Sequence, residues 1–486
     1  LLGSHFVVAD QAGRVAATGY HATPCRANLP RTPDGRRFAE GADPQRILDG
    51  TRFGGFAVRF TPTGEADESD PDGPSCVVPW ADFPRVEDPP AGFVISANND
   101  PSGLSLDGSL ADDPVYVGGP FATGFRAARI TERLADVVEA GPATVGDMAA
   151  IQGDIKSATA ARWLPFLLEA IDRAAALQDA DGPLEGADAR LAALAGPRLA
   201  ELAEVAERLR AWEGRGLVAH SGVATFYADP GPDERADAVA TMLWNAWLSH
   251  FDDAVFGDEG IPPGVNRLSD TYTRSRTLHW LITGRGAENP QALASWHPEH
   301  GESAYFDRRE TAEHERSDEV AIQALLAALD FLASAPDGSE GGFGTADMDA
   351  WLWGLRHTVR FESILAPFVG GLDGLDLLLR RFGITPRLLP LTDDPLPQGD
   401  PRRGLSGFPR GGDNHSVDNA DNDYRPTRFE YRDGPVKRMV IALHPDGRVS
   451  GRNVIPGGQS GLMGSPFFAD QVRLWLGNQA WPLRYH

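Results

Sequence analysis

The chain has 486 residues, and 45 Lys and Arg residues against 69 Asp and Glu residues give it a formal net charge of −24. This length is enough for about two to four domains. So acidic a surface repels phosphate backbones, which argues against nucleic acid as a partner. No run of about 18 apolar residues occurs, so the sequence predicts no membrane-spanning segment.

Residues 1–143 have the pattern of short strands joined by turns. Apolar runs at 5–9 and 92–97 are separated by clusters of Gly, Pro and Asp, which break strands and form tight turns. We therefore expect a β-rich region that ends near residue 143.

From residue 144 to about 385 the apolar residues repeat at helical spacing. In the segment 156–178, for example, Trp163, Leu167 and Ile171 fall on one helical face. The same spacing predicts further helices over 185–212, 233–255, 318–335 and 346–358. We therefore predict a mainly helical region over 144–385.

The last region, residues 386–486, returns to loops and strands. The Pro-rich segment 390–403 predicts an extended connection. Apolar patterns predict strands at 428–431 and 439–443, joined by a turn at Gly434 and Pro435. Because β-rich regions lie on both sides of the helical region, we expect one sheet system completed by both ends of the chain.

The cysteine pattern leaves two interpretations open. Cys25 and Cys76 form no Cys-x-x-Cys pair, which argues against a thiolate zinc site and a thioredoxin-like redox motif. The two residues fit one disulfide of an exported protein, and they fit two buried thiols equally well. Spacing alone does not decide between these states.

Motifs for nucleophilic or metal catalysis are weak. Neither Gly-x-Ser-x-Gly nor Ser-x-x-Lys occurs, so no serine carries the signature of a nucleophile. His297, His300 and His314 offer a His-x-x-His pair and a third imidazole, which suits zinc, but Pro298 interrupts the pair. A metal hydrolase built on these histidines is one hypothesis, and a polar surface loop is the favoured one.

Two asparagines, Asn98 and Asn99, directly follow the apolar run at 92–97. An Asn side chain in such a place can donate its amide N–H toward an oxyanion. It can equally form an Asx-turn, here ahead of Pro101. On local sequence alone the turn is the favoured interpretation.

Short strings recur in a specific order along nearly the whole chain. They are ADQAGRV (9–15), PCR (24–26), GFVISANN (92–99), GFRAARI (124–130), IQGDIKSA (151–158), GGD with Ser416-Val417 (411–417), Gly434-Pro435 with Arg438, and PGGQSG (456–461) ahead of Ser465-Pro466 and Asp470-Gln471. Each string is weak alone, but their order and spacing resemble the penicillin acylase family of N-terminal-nucleophile hydrolases.

The resemblance implies an α+β fold, the αββα sandwich of N-terminal-nucleophile hydrolases, with a large helical insert. It implies hydrolysis of a linear amide through an acyl-enzyme, in which a Ser attacks and its own α-amino group takes the proton. An oxyanion-binding Asn maps onto Asn98 and a nearby Arg onto Arg126. Gln152 and Asp154 match a motif to which we assign a structural role.

The same resemblance bears on cofactors and location. It implies a structural calcium, for which Asp113 is the nearest candidate ligand, and no organic cofactor. It also implies a periplasmic or secreted protein. The substrate is expected to be an acyl-amide small molecule, and relatives act on β-lactam side chains, acyl-homoserine lactones and lipopeptide acyl chains.

The sequence departs from the family pattern at its start, because Leu1 is not a nucleophile. We therefore expect the sandwich to be incomplete on its N-terminal side. The partners would be the α chain and the N-terminal part of the β chain of the same precursor, and this chain alone would be inactive. The alternative hypothesis is a non-catalytic remnant or binding module on the same scaffold.

Overall fold

The computed structural model describes most of the chain, in two compact units. Unit 1 comprises Leu1–Ala143 with Leu443–Arg448, and unit 2 comprises Thr144–Ala442 with Val449–His486. Together they contain many helices and several small antiparallel sheets, so the predicted α+β class is confirmed. The described residues are 4–20, 22–33, 38–42, 44, 48–54, 57–65, 67–70, 73, 75–100, 121–259, 271–284, 295–297, 299–337, 340–362, 383–422 and 424–483.

Unit 1 contains an antiparallel sheet of β1 (Ser4–Ala9), β2 (Val15–Tyr20) and β3 (Arg85–Glu87), in that order. The hairpin between β1 and β2 turns because Asp10 Oδ1 accepts hydrogen bonds from the backbone N–H of Ala12 and Arg14, at 2.9 and 3.0 Å. The strand predicted at 5–9 is thus confirmed.

The remainder of unit 1 differs from the sequence prediction in two places. The run 92–97 forms no ladder among the described residues, and the bridge found beside it joins Asn99 and Ala122. After it comes a helix that the sequence analysis did not predict, α2 (Phe125–Ala140); a single-turn helix, α1 (Gly50–Phe53), precedes both. A disulfide joins Cys25 to Cys76, which decides the open question of their state.

Unit 2 is built on helices. They are α3 (Val145–Gln152), α4 (Ala160–Gln178), α5 (Gly186–Ala195), α6 (Leu199–Gly214), α7 (Pro232–Phe256), α8 (Thr271–Thr283), α9 (Ser317–Ala333) and α10 (Val472–Leu476). The helices predicted over 156–178, 233–255 and 318–335 are confirmed. The one predicted over 185–212 is divided by a 3₁₀ turn at Gly196–Arg198, because Pro197 lacks an N–H and restricts the residue before it.

Helix α7 lies at the centre of unit 2 and is buried along most of its length. It packs against α6 and α9, and Trp247 Nε1 donates to the Ala321 carbonyl of α9 at 3.1 Å. Trp247 also stacks on Phe251, with 4.9 Å between ring centroids. These aromatic residues are core packing. Among the described residues, no helix is both long and apolar enough to cross a bilayer.

The helix predicted over 346–358 is wrong. The segment forms 3₁₀ turns at Met348–Ala350 and Trp353–Leu355 and then β8 (Thr358–Val359), which pairs with β9 (Phe408–Pro409). The reason is contact with distant parts of the chain. Trp353 Nε1 donates to the Gly412 carbonyl at 2.8 Å. Some backbone groups of the segment also form hydrogen bonds with distant residues, and not with one another as they would in a helix.

The C-terminal residues form a second three-stranded sheet of β10 (Arg438–Leu443), β11 (Val449–Val454) and β12 (Trp481–Leu483). The strand predicted at 439–443 is confirmed, but the one at 428–431 is wrong, because Tyr431 makes only an isolated bridge with Val359. The turn at Gly434-Pro435 therefore joins no strand pair. Each end of the chain builds its own sheet among the described strands, instead of completing a shared one.

Smaller hairpins complete the described part of unit 2. Strands β4 (Trp296–His297) and β5 (Glu302–Ser303) pair with each other, and so do β6 (Pro336–Asp337) and β7 (Glu340–Gly341). The first of these hairpins carries two of the histidines that the sequence analysis singled out.

Candidate active site

Asn98 and Arg126 are in direct contact, although 28 positions separate them. Asn98 has a left-handed backbone, with φ of 61°, a conformation that Asn tolerates better than most residues. Its carbonyl accepts from the backbone N–H of Ala122 at 2.8 Å, which fixes its place. Its side chain is exposed, and Oδ1 accepts a hydrogen bond from Arg126 Nη2 at 2.7 Å.

Helix α2 positions Arg126 in its first turn. Gly124 precedes the helix with φ of 84°, a conformation that suits glycine, and Phe125 is buried as the anchor of the turn. From this turn Arg126 Nη2 also donates to the Ala97 carbonyl at 3.2 Å. One guanidinium therefore holds both the backbone and the side chain of the segment that presents Asn98.

Among the described residues, neither asparagine forms the Asx-turn that the local sequence favoured, because Pro101, two positions after Asn99, has no N–H to donate, and Asn99 is held by other local bonds. Asn99 Oδ1 accepts from the Ala97 N–H at 3.1 Å, and Asn99 Nδ2 donates to the Asp100 carbonyl at 3.2 Å. Asn98 makes no such local bond and is tied instead to a distant helix. The two asparagines therefore have different roles, which the sequence pattern did not separate.

The contact with Arg126 fixes the orientation of the Asn98 amide. A guanidinium only donates hydrogen bonds, so the atom that faces it is the oxygen of the amide, and Nδ2 faces away. Among the described residues, none accepts a hydrogen bond from that Nδ2. The arginine charge polarises the amide, and the positive end of α2 adds to the local potential. This is a pre-oriented donor for an anion.

The predicted calcium ligand, Asp113, lies outside the described residues. Gln152 and Asp154 are described, and their contacts are structural. Gln152 Nε2 donates to the Met439 carbonyl at 2.9 Å, and Asp154 Oδ1 accepts from the Lys156 N–H at 3.1 Å.

Sequence reasoning did not single out a buried polar cluster in unit 2. Asp413 is fully buried, and its Oδ2 accepts from Ser157 Oγ at 2.5 Å and from Asn245 Nδ2 at 3.5 Å. Burial raises the pKa of Asp413 to about 7. Gly412 beside it has φ of 85°, and a Cβ there would lie 2.6 Å from the Ala420 methyl, so only glycine fits. The available signal was that Ser157 and Asp413 both belong to strings of the family resemblance.

The three histidines of the metal hypothesis also converge. The ring centroids lie 4.5 Å apart for His297 and His300, 3.6 Å for His300 and His314, and 5.8 Å for His297 and His314. A ligand atom from each of His297, Glu299 and His300 lies within 4.8 Å of the others. The interpretation as a plain surface loop did not anticipate this convergence.

Comparison with known proteins supplies the family. A family model described as penicillin amidase matches residues 2–486. No curated protein matches the chain significantly. Since the family match covers nearly the whole chain, the chain belongs to the penicillin amidase family, a family of amide hydrolases with the N-terminal-nucleophile hydrolase fold.

Proposed function

We propose that this chain is the larger, C-terminal part of the β chain of an acylase that hydrolyses linear amides. The observation that carries the proposal is the Asn98 amide, whose oxygen is held by Arg126 while its nitrogen remains available to donate. An exposed asparagine held in this way by an arginine has the properties of an oxyanion-binding group.

In the proposed reaction, a Ser hydroxyl from a segment outside this chain attacks the amide carbon of the substrate. The α-amino group of that Ser takes the proton, and the carbonyl oxygen becomes an oxyanion. Asn98 Nδ2 donates a hydrogen bond to it. The intermediate then collapses, the amine leaves with the proton, and water hydrolyses the acyl-serine ester. Arg126 acts as a positioning residue through Asn98.

The exposed surface of the sheet of unit 1 supports the proposed partner segments. Phe6, Val7 and Val8 are 49%, 54% and 55% exposed in this chain. Successive residues of a strand point to opposite faces, so β1 leaves apolar groups uncovered on both sides. Burying such groups is favourable by roughly 25 cal/mol per Å². We propose that the α chain and the N-terminal part of the β chain cover them.

Two further elements of the proposal concern location and metal content. The Cys25–Cys76 disulfide supports a periplasmic or secreted protein, because disulfides persist in oxidising compartments. A structural calcium at Asp113 rests on the family resemblance alone, and no organic cofactor is proposed.

The test is an amine-release assay on the complete precursor with a panel of acyl-amides. Asn98→Ala is expected to lower the rate by about 10²–10³, the usual result of removing one oxyanion donor. Asn28→Ala is the matched control, because Asn28 also lies in unit 1 and, within the described part of the chain, its side chain makes one bond, to the Phe53 carbonyl. The control should retain the parent rate.

Two results would count against the proposal. A near-normal rate for Asn98→Ala would remove that residue from the mechanism. A correctly processed precursor that binds acyl-amides without hydrolysing any of them would favour the alternative, a non-catalytic binding module.

A further inference from the structure

The histidine cluster in unit 2 contains ring nitrogens without partners. His297 Nδ1 and His314 Nε2 are both shielded from solvent, and neither has a hydrogen-bond partner among the described residues. A buried polar atom without a partner costs about 1–3 kcal/mol, and a bound ion is one of the standard explanations for it. The two atoms lie in the same cluster, since the two rings are 5.8 Å apart.

A carboxylate lies beside one of these rings. His314 Nδ1 is 3.3 Å from Asp307 Oδ2. The unpartnered atom, Nε2, is the other nitrogen of the same ring. In metal sites, a carboxylate often lies next to the histidine nitrogen that does not bind the metal. Such a carboxylate orients the ring and makes it more basic.

The backbone around the cluster is held in place independently of any ligand. His297 ends β4, and the N–H groups of His300 and Gly301 both donate to its carbonyl, at 3.2 and 2.9 Å. Gly301 has φ of 69°, which the hairpin turn requires. On the other side, the His314 carbonyl accepts from Arg190 Nη2 of α5 at 2.6 Å. Two separately anchored segments therefore present the imidazoles.

We propose that His297, His300 and His314 form a zinc site, with the exposed carboxylate of Glu299 as the fourth ligand. Three imidazoles and one carboxylate suit Zn²⁺ and related transition ions, whereas calcium and magnesium prefer all-oxygen sites. Ligand atoms in a tetrahedral zinc site lie roughly 3.3 Å apart, given bonds of about 2.0–2.1 Å. The ligand atoms of His297, Glu299 and His300 lie within 4.8 Å of one another, and binding would require the exposed His300 ring, which is stacked on His314, to turn toward the ion.

The site has a structural consequence that is separate from amide hydrolysis. A metal would join the β4–β5 hairpin to the segment 307–316, which leads into α9. It would also supply a partner to both orphan nitrogens. The ion would therefore stabilise the folded state against thermal unfolding, because it binds the folded site more tightly than the unfolded chain.

The test uses the complete 486-residue chain without a polyhistidine tag. Zinc content after dialysis is measured by mass spectrometry, and Co²⁺ is titrated while its visible absorption reports tetrahedral coordination. We expect about one metal ion per chain and a higher unfolding temperature with zinc, but no rise with calcium. His297→Ala and His314→Ala should each weaken binding at least about 10-fold, and Asp307→Asn about 10–100-fold.

His5→Ala is the control, because His5 is exposed on β1 in unit 1 and should leave zinc binding unchanged. Circular dichroism of each variant establishes that it is folded. The proposal fails if the parent chain retains well under one equivalent of zinc. It also fails if a folded variant with both His297→Ala and His314→Ala binds zinc and Co²⁺ as the parent does.

Discussion

The two units differ in how they are stabilised. Unit 2 has a deep core in which large side chains are wholly buried, among them Trp163, Trp212, Trp244 and Trp247. Unit 1 has a small cluster of Leu29, Phe38 and Ala42, a sheet with exposed apolar residues, and a disulfide. Among the described residues the larger buried core therefore lies in unit 2, while the candidate active site lies in unit 1.

The same difference is visible in their polar groups. In unit 2, Asp413 is fully buried and both Ser157 and Asn245 donate to it. In unit 1, Asn98 is exposed and uses only its oxygen, which leaves a donor available. Asp413 is tied to the fold through the two donors on Oδ2, although its buried Oδ1 has no partner among the described residues, whereas an exposed, oriented group with an unused donor can serve a substrate. The following variants test this comparison.

The largest expected effect on stability is that of Asp413→Ala. It leaves the buried donors of Ser157 and Asn245 without their acceptor, at about 1–3 kcal/mol each, so we expect a loss of about 4 kcal/mol. Urea unfolding measures it. Asp393→Ala, an exposed aspartate of the same unit, should change stability by less than about 0.5 kcal/mol. Equal losses in the two variants would mean that the cluster does not stabilise unit 2.

A somewhat smaller loss is expected in unit 1 when the disulfide is removed. The bond closes a loop of 51 residues, and such bonds contribute about 2–4 kcal/mol. Replacing Cys25 and Cys76 together by Ser should therefore destabilise unit 1 by that amount, as measured by thermal unfolding. Reductant should lower the stability of the parent and leave the double variant unchanged. An equal response of both proteins to reductant would contradict the assignment.

A pH dependence is expected from Asp413. Burial raises its pKa to about 7, whereas an unfolded aspartate has a pKa near 3.9. Between these values the folded state holds a proton that the unfolded state has lost, so stability falls as pH rises from about 4 through about 7. Asp413→Asn cannot lose this proton and should flatten that part of the curve. Identical slopes of unfolding free energy against pH would contradict the shifted pKa.

The smallest effect on stability is expected on the exposed face of unit 1. Val8→Thr changes a side chain that is 55% exposed, so the isolated chain should lose less than about 0.5 kcal/mol. Association with the proposed α chain and N-terminal segment should nevertheless weaken, which co-purification measures. If the isolated chain were strongly destabilised, β1 would already be covered and the proposed partner surface would be wrong.

Sequence was most informative where local pattern and tertiary packing agree. Trp163, Leu167 and Ile171 repeat at helical spacing and are buried on one face of α4. The local pattern was misleading at 346–358, where it predicted a helix. There the Trp353 indole donates to the Gly412 carbonyl, a partner that no local pattern reveals. Helix α2 was missed because turn-rich sequence surrounds it and because only Phe125 and Ala127, in its first turn, are buried.

The candidate site was predictable in its residues but not in its geometry. The family resemblance pointed to Asn98 and Arg126, while local sequence favoured an Asx-turn. Only the structure separates the two asparagines, because Asn99 bonds to its neighbours Ala97 and Asp100, whereas the oxygen of Asn98 faces Arg126. A contact between residues 28 positions apart depends on where α2 begins, and the pattern of residues did not predict that helix.

The most direct test of the central claim is a double-mutant cycle in the complete precursor, with the rate of amine release as the readout. If Arg126 acts by orienting Asn98, Arg126→Ala alone should lower the rate about 10–100-fold, the equivalent of one charge-assisted hydrogen bond of about 1.5–3 kcal/mol. In a background of Asn98→Ala the same change should cost almost nothing further. Losses that add to within about 0.5 kcal/mol would show that the two residues act independently and would contradict the account.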